Sequence, residues 1–408
     1  MSNLVELILD NAAYGGDTIG RLPDGRVVFV PLGIPGETVR IRIVVDKKKY
    51  ARGELLAVLE PSPLRTEARC SHYAVCGGCH YQHISYDQQL VIKQKILQDQ
   101  LERLGRLVNP NIEVMIPSPN KFNYRNHVQF HLSRGNKPGF IRADKRGVLE
   151  ITECYLPAEQ LNDFWPLLEI DSKSGISSLG LRLGIEDDIL VTLESDHPFN
   201  AEFNIESLPV SVVHLSPDNS EVLAGSDYTI MQVRDRKFRV SAGSFFQVNT
   251  ALAEQMVKLI EEILPEQPGL VLELYSGVGL FSAILARRAK KLIAIEGSES
   301  AAEDFVHNLD EFENVDLYQG SAEDILPNLS IEPEVVLVDP PRTGLHKKVI
   351  DSIVSLQPEL LLYVSCDPAT LARDSKLLIE GGYTAEKFIP FDFFPHTYHI
   401  ETLSIWTK

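Results

Sequence analysis

The 408 residues carry 39 Lys and Arg against 57 Asp and Glu, a formal charge of −18, with 44% hydrophobic and 24% charged residues. That is the balance of a globular chain too long for one core, so two or three domains are expected. Five cysteines are too few for a disulfide framework. The opening "MSNLVELILDN" lacks a signal-peptide layout and no apolar run reaches membrane-spanning length, so a cytoplasmic protein with no membrane partner is expected.

The acidic surplus argues against a polyanionic partner, because phosphate contacts dominate nucleic-acid affinity. Its distribution removes the objection. Residues 150–230 hold sixteen Asp and Glu against two Lys and Arg, whereas residues 121–146 hold seven Lys and Arg against one Asp. Local charge decides binding, and the acidic stretch is expected to face solvent.

In chain order, residues 1–60 alternate with period two in "GRVVFV" and "TVRIRIV" and turn at "PDG" and "IPGE". They predict a small OB-like β-barrel, with Pro61 and Pro63 as a linker. Residues 61–240 predict a central β-rich domain that bears three clustered cysteines, Cys70, Cys76 and Cys79. Within it, residues 85–105 predict an amphipathic helix with Leu90, Leu97, Leu101 and Leu104 on one face, packing on the C-terminal domain. From 241 to 408, apolar strands ("GLVLELYSG", "KLIAIEGS", "EVVLVDPPR", "ELLLYVSCD") alternate with helical stretches, the pattern of a Rossmann-like α/β domain.

In such a sheet ligands bind where the strands end. Gly277 and Gly279 in "YSGVGLFS" let backbone approach a ligand, and Glu296 ends the next strand where ribose hydroxyls would be taken. The third glycine of a dinucleotide fingerprint is missing, which favours S-adenosylmethionine, a nucleoside without phosphate, over NAD. Asp339 in "DPPRTG" adds a carboxylate at the same rim, with Arg342 where amino methyltransferases carry an aromatic residue.

Cys366 follows the strand "LLLYVS" and precedes Asp367-Pro368. A thiol facing a methyl donor suggests covalent catalysis, and the chemistry that needs both is methylation of pyrimidine C5. The reaction also needs a base for the C5 proton. "FFPHTYHIETLSIW" offers Glu401, with His399 as the less favoured candidate. With Pro340-Pro341 and no second cysteine beside Asp339, uracil is favoured over cytosine. An exocyclic-amino methyltransferase or a non-catalytic RNA-binding protein would not need Cys366.

"DPPRTG" and "LLYVSCDPATLARD" together resemble the RNA uracil-C5 methyltransferases of the bacterial 23S rRNA type, over nearly the whole chain. The resemblance implies a TRAM domain at the N-terminus, a Cys366 nucleophile, Glu401 as proton acceptor, and S-adenosylmethionine contacts from Gln247, Tyr275, Glu296 and Asp339. It implies an RNA substrate, rRNA first and tRNA as the alternative.

The spacing C-x5-C-x2-C, with Cys154 downstream, leaves zinc and an iron–sulfur cluster equally open. The resemblance implies a [4Fe–4S] cluster on Cys70, Cys76, Cys79 and Cys154, structural rather than catalytic. RNA would be reached in loops and single strands. Arg125 and His127 are the expected RNA contacts, with Phe245 and Phe246 as candidate stacking faces. A monomer is expected.

Overall fold

The computed structural model describes residues 4–171, 174–196, 210–217 and 219–408. Five strands, β1 (Leu4–Ala12), β2 (Asp17–Arg21), β3 (Val27–Pro31), β4 (Thr38–Asp46) and β5 (Tyr50–Glu60), form a closed barrel in the order β1-β2-β3-β5-β4. Period-two alternation turns Leu7, Leu9, Val28, Val30, Val39 and Ile41 into the barrel. The wholly buried Glu37 accepts bonds from Arg65 and from the Ile34 and Ser62 amides, which fixes the chain as it leaves the barrel.

Helix α1 (Tyr86–Arg103) follows the cysteine segment. Leu97 and Leu101 enter the core of the C-terminal unit as expected, but Leu104 is 41% exposed and Leu107 is buried beyond it. The buried face instead includes Gln89, Lys93 and Gln100. These polar residues are buried because partners exist only in the tertiary structure, which a helical periodicity of apolar residues does not register.

The central sheet contains β6 (His127–Leu132), β7 (Pro138–Ile141), β8 (Val148–Glu150), β9 (Ser178–Leu183), β10 (Ile189–Glu194), β11 (Val210–Ser216) and β12 (Asn219–Ala224), ordered β12-β11-β10-β9-β6-β7-β8. Phe130, Leu179 and Leu181 pack with Phe164 of α2 (Glu159–Phe164) and with Trp165. Of the acidic stretch, Glu159, Asp163, Glu169, Glu186, Asp187 and Glu221 are exposed, while Glu202, Glu206 and Asp218 lie outside the described residues. The hairpin β13 (Tyr228–Val233) and β14 (Arg236–Ser241) does not join this sheet. Met231, Val233, Phe238 and Val240 pack into the C-terminal core, so the hairpin before residue 241 packs with the unit that follows it.

That unit holds α3 (Thr250–Ile263), β15 (Leu270–Leu274), α4 (Ser282–Arg288), β16 (Lys291–Glu296), α5 (Glu299–Asn308), β17 (Val315–Gln319), α6 (Ala322–Ile325), β18 (Val335–Val338), α7 (Lys347–Leu356), β19 (Leu360–Ser365), α8 (Pro368–Glu380), β20 (Thr384–Phe391) and β21 (Glu401–Thr407). Its strand order is β17-β16-β15-β18-β19-β21-β20, with β15 to β19 parallel and β21 antiparallel between β19 and β20. Both faces are covered, so its central strands are continuous apolar runs. The order reverses at β15/β18, and the carboxyl ends of β15, β16, β18 and β19 meet there at one rim. No helix among the described residues is long and apolar enough to cross a membrane.

Candidate active site

β19 stops at Ser365 because Ser365-Cys366-Asp367-Pro368 turns the chain into α8. Asp367 caps that helix, its Oδ1 accepting the Ala369 and Thr370 amides at 2.9 Å each. Ser365 pairs with Thr402 across β19 and β21, so Cys366 and Glu401, the next residue on each side, leave that pair at the same end, and the Glu401 charge reaches the thiol. Cys366 is half-buried, whereas Glu401 is 3% exposed. Two strands that are far apart in sequence thus bring a thiol and a carboxyl to one point of the rim.

The rim is crowded with acid. Burial pushes the Cys366 thiol up to about 12, with Glu401, Asp339 and Asp367 adding to the rise and Arg342 opposing it. Burial and then Asp339 hold the Glu401 carboxyl well above the ordinary range. Asp339, at the end of β18, is raised to about 7 by burial and by Glu296. Glu273, inside β15, is raised to about 8 by burial, against the bond it accepts from the Ser282 hydroxyl. Burial and mutual repulsion bias all of these groups towards their protonated forms. A cation entering the rim reverses the preference, because it favours ionised carboxylates and a thiolate. Burial and the Arg342 charge lower His399 to about 3, too weak a base to compete with a carboxylate for a proton.

The glycine turn after β15 carries Tyr275, whose φ is +62° and whose amide donates to Ile295 O at 2.9 Å. Its hydroxyl donates to Glu323 at 3.3 Å. The two glycines do different things. A Cβ on Gly277 would meet nothing within 4 Å, and its amide donates to Glu296 Oε2 at 2.7 Å, so an open cradle lies over it. A Cβ on Gly279 would sit 2.5 Å from Leu309 Cδ1, so this glycine serves helix packing rather than ligand approach. Glu296 also accepts the Ser298 amide at 2.7 Å. Gln247 is buried, with its carbonyl accepting from Asn126 at 2.9 Å. Nearby Phe246 is buried in the core, while Phe245 is 69% exposed.

The cysteine segment lies across the central sheet. The Ser71 amide donates to Glu153 at 2.7 Å, the Thr152 amide to His72 at 3.0 Å, and the Gly77 amide to Ile141 O at 3.0 Å. This zipping brings Cys70, Cys76 and Cys79 towards Cys154, and all four are half-buried. The Cys79 and Cys154 thiols are raised to about 12 and about 11, first by burial and partly by neighbouring thiols of the same set. Among the described residues no three His, Cys, Asp or Glu side chains converge closely enough to grip a single metal ion.

Arg125 lies 5.8 Å over both the Tyr124 and Phe394 rings, and its field reaches Cys79, Cys154 and His399. It therefore stands between the cysteine segment and the rim. His127, in β6 opposite Arg182, is lowered to about 3 by burial and by Arg182 and Arg125. It is neutral and brings no charge to a phosphate. Two residues of the rim escaped the sequence reading. Glu273 left a signal, a lone carboxylate in the apolar run "LVLEL". Tyr14 left none beyond the adjacent Gly15-Gly16, yet it reaches from the barrel turn to Asp367 Oδ2 at 2.8 Å.

Residues 199–330 and 328–408 match the family described as tRNA (Uracil-5-)-methyltransferase, and residues 6–56 match the TRAM domain. An uncharacterized RNA methyltransferase of Synechocystis is 33% identical, over 98% of this chain and 94% of that protein. Another from Aquifex aeolicus is 32% identical, over 98% of both. Among solved structures, the tRNA (uracil-54, C5)-methyltransferase of Pyrococcus abyssi, in complex with S-adenosyl-L-homocysteine, matches with a TM-score of 0.76 at 24% identity. That match covers 99% of this chain and 100% of that one, and it shows a shared fold.

Proposed function

We propose, from the premise that this chain belongs to the tRNA (uracil-5-)-methyltransferase family and is an RNA methyltransferase with a TRAM domain, that it methylates C5 of a uridine through a covalent adduct on Cys366. The observation that carries the reading is that β19 and β21 pair as far as Ser365 and Thr402, which leaves Cys366 and Glu401 next in the chain at the same rim, with the Glu401 charge reaching the thiol. S-adenosylmethionine would supply an electrophilic methyl group on a cationic sulfur. Gln247, Tyr275, Gly277, Glu296 and Asp339 would hold it, the open cradle at Gly277 and the acidic rim suiting a cationic nucleoside.

The chain's own groups do the following. The half-exposed Cys366 thiol loses its proton to solvent and its thiolate sulfur bonds to uracil C6, so the C5=C6 electron pair moves towards O4 and C5 becomes nucleophilic. After C5 has taken the methyl group, Glu401 accepts the C5 proton. The C–H pair then restores C5=C6 and expels Cys366 as thiolate. A cationic donor held at this acidic rim would lower the cost of ionising both Cys366 and Glu401, whose protons pass to solvent.

The four cysteines would hold a [4Fe–4S] cluster with a structural role. Zn–S bonds of about 2.3 Å draw four sulfurs nearly into contact, whereas a four-iron cube spaces them more widely. The four half-buried thiols, within reach of one another's charge, would be the ligands. Iron and acid-labile sulfide assayed in the purified protein test this, and bound zinc without iron would overturn it. Ribosomal RNA is the proposed substrate, supported by the likeness of "DPPRTG" and "LLYVSCDPATLARD" to the enzymes of the 23S rRNA type. A tRNA substrate is the second reading, favoured by the architecture shared with the P. abyssi enzyme. Arg125, between the cysteines and the rim, is the better placed of the two proposed RNA contacts.

Glu401→Gln tests the mechanism. It retains Cys366 but removes the proton acceptor, so a methylated RNA–protein adduct that survives denaturation accumulates. Normal turnover by this variant would overturn the assignment.

A further inference from the structure

Tyr14 belongs to the barrel, on the turn between β1 and β2, yet both catalytic segments touch it. Its hydroxyl donates to Asp367 Oδ2 at 2.8 Å, next to Cys366 in the chain. Its ring meets Tyr398 edge-on, with centroids 5.4 Å apart at 90°. Tyr398, three residues before Glu401, in turn lies 4.4 Å from the His399 ring and 4.6 Å from the His80 ring. The turn is seated closely. Gly16 has φ +93°, and a Cβ there would come within 2.8 Å of the His80 ring.

We propose that Tyr14 is a positioning residue: the barrel's first turn latches the nucleophile loop through Asp367 and the base-bearing segment through Tyr398, which makes the barrel part of the active site. The proposal rests on Cys366 being the nucleophile. It gives the barrel a second task besides any contact with RNA, because a shift of the barrel moves the thiol relative to Glu401.

The charge around the thiol gives the latch an electrical effect. Glu401 from β21, Asp339 and Arg342 from the loop after β18, Asp367 from its own turn and Tyr14 from the barrel face Cys366. Three of these are acids that oppose the thiolate. The Asp367 carboxylate is shared among the helix amides on Oδ1 and the Tyr14 hydroxyl on Oδ2, and each donor draws its charge away from the sulfur. The Tyr14 phenol itself is pushed up by burial and by Asp367, so it remains a donor.

The test compares Tyr14→Phe, Asp367→Asn, the double variant and Cys366→Ala in the full-length protein. Phe keeps the ring against Tyr398, and Asn still caps α8. Two readouts are taken: steady-state methylation, and the pH dependence of Cys366 alkylation by iodoacetamide, read on the Cys366 peptide by mass. Tyr14→Phe is expected to lower kcat about tenfold with KM for RNA little changed, as for loss of a bond to a charged group. Its alkylation profile moves to higher pH. Asp367→Asn moves the profile to lower pH, and the double variant superimposes on Asp367→Asn, because the hydroxyl then has no charge to share. A Tyr14→Phe profile and kcat matching wild type would overturn the latch, as would equal Tyr14→Phe effects with and without the Asp367 charge. Full turnover by Cys366→Ala would instead overturn the nucleophile assignment, and the alkylation readout separates the two failures.

Discussion

Lys93 on α1 is wholly buried, as is its partner Asp392, with Nζ 2.5 Å from Oδ1 and 3.0 Å from Phe394 O. Burial drives the ammonium pKa down and Asp392 pulls it back up, with burial the larger effect. The pair therefore lies near the point where desolvation and attraction cancel. Breaking it from one side is another matter. Lys93→Met strands a buried carboxylate whose Oδ2 has no hydrogen-bond partner, and a broken buried pair costs about 3–5 kcal/mol. At about 2–4 °C per kcal/mol for a unit of this size, Tm for the C-terminal unit should fall by roughly 10 °C. Lys93→Met/Asp392→Leu removes both charges and should regain most of that loss. Scanning calorimetry of the four proteins in the cycle checks it. Activity should follow the same order, because Asp392 opens the segment that leads to Glu401. A Lys93→Met midpoint equal to wild type, or a double variant as unstable as the single, would refute the reasoning.

The acidic rim predicts an unusual pH dependence. Asp339, raised to about 7, and Glu273, raised to about 8, bind more protons in the folded than in the unfolded chain, so their contribution to stability is greatest below the unfolded carboxylate range and is lost as pH rises through about 7 to 8. The ligand-free protein should melt at a higher temperature in mildly acidic than in mildly alkaline buffer, and Glu273→Gln should flatten that slope. The same rim should prefer S-adenosylmethionine, with its cationic sulfur, over S-adenosylhomocysteine by a margin that widens as pH rises through 7, measurable by calorimetric titration; a pH-independent ratio counts against the cation argument. Gly277 and Gly279 both have positive φ (+56° and +92°), so Ala at either strains the backbone by about 1–2 kcal/mol. Gly277→Ala should in addition intrude on the open cradle and bind cofactor weakly, while Gly279→Ala must also displace Leu309 and should lose more stability. Thermal melts beside cofactor titrations separate them, and equal behaviour of the two would remove the distinction. His127→Gln should leave the salt dependence of RNA binding unchanged because the imidazole is neutral, whereas Arg125→Gln should shallow it.

The elements that dominate the fold were legible because their periodicities are local. "GRVVFV" and "TVRIRIV" alternate and became barrel strands, and the apolar runs at 270–274, 335–338 and 360–365 became parallel strands buried on both faces. The chemistry at strand ends was legible too, since a thiol after "LLLYVS" or a carboxylate after "VVLV" contradicts the run that precedes it. What escaped was set by tertiary partners. Lys93 and Gln89 lie on the buried face of α1 because Asp392 and the Tyr81 and Ile84 carbonyls await them. Gly277 and Gly279 are alike in sequence, and only the position of Leu309 tells them apart. Tyr14 sits 353 residues from the carboxylate it bonds, and no pattern within the barrel indicates that its turn reaches Cys366. Arg125 and His127 share one basic segment, but the partners of β6 separate a guanidinium near the rim from an imidazole held neutral.

The most direct test of the central claim is tritium release from RNA labelled at uridine C5, with S-adenosylmethionine, comparing wild type with Cys366→Ala. Ribosomal and transfer RNA pools lacking their own C5 methylation are assayed separately. Release by wild type and none by Cys366→Ala is the predicted result, with the ribosomal pool responding. Release by both proteins, or by neither with cofactor bound and the fold intact, would contradict C5 methylation through the Cys366 thiol.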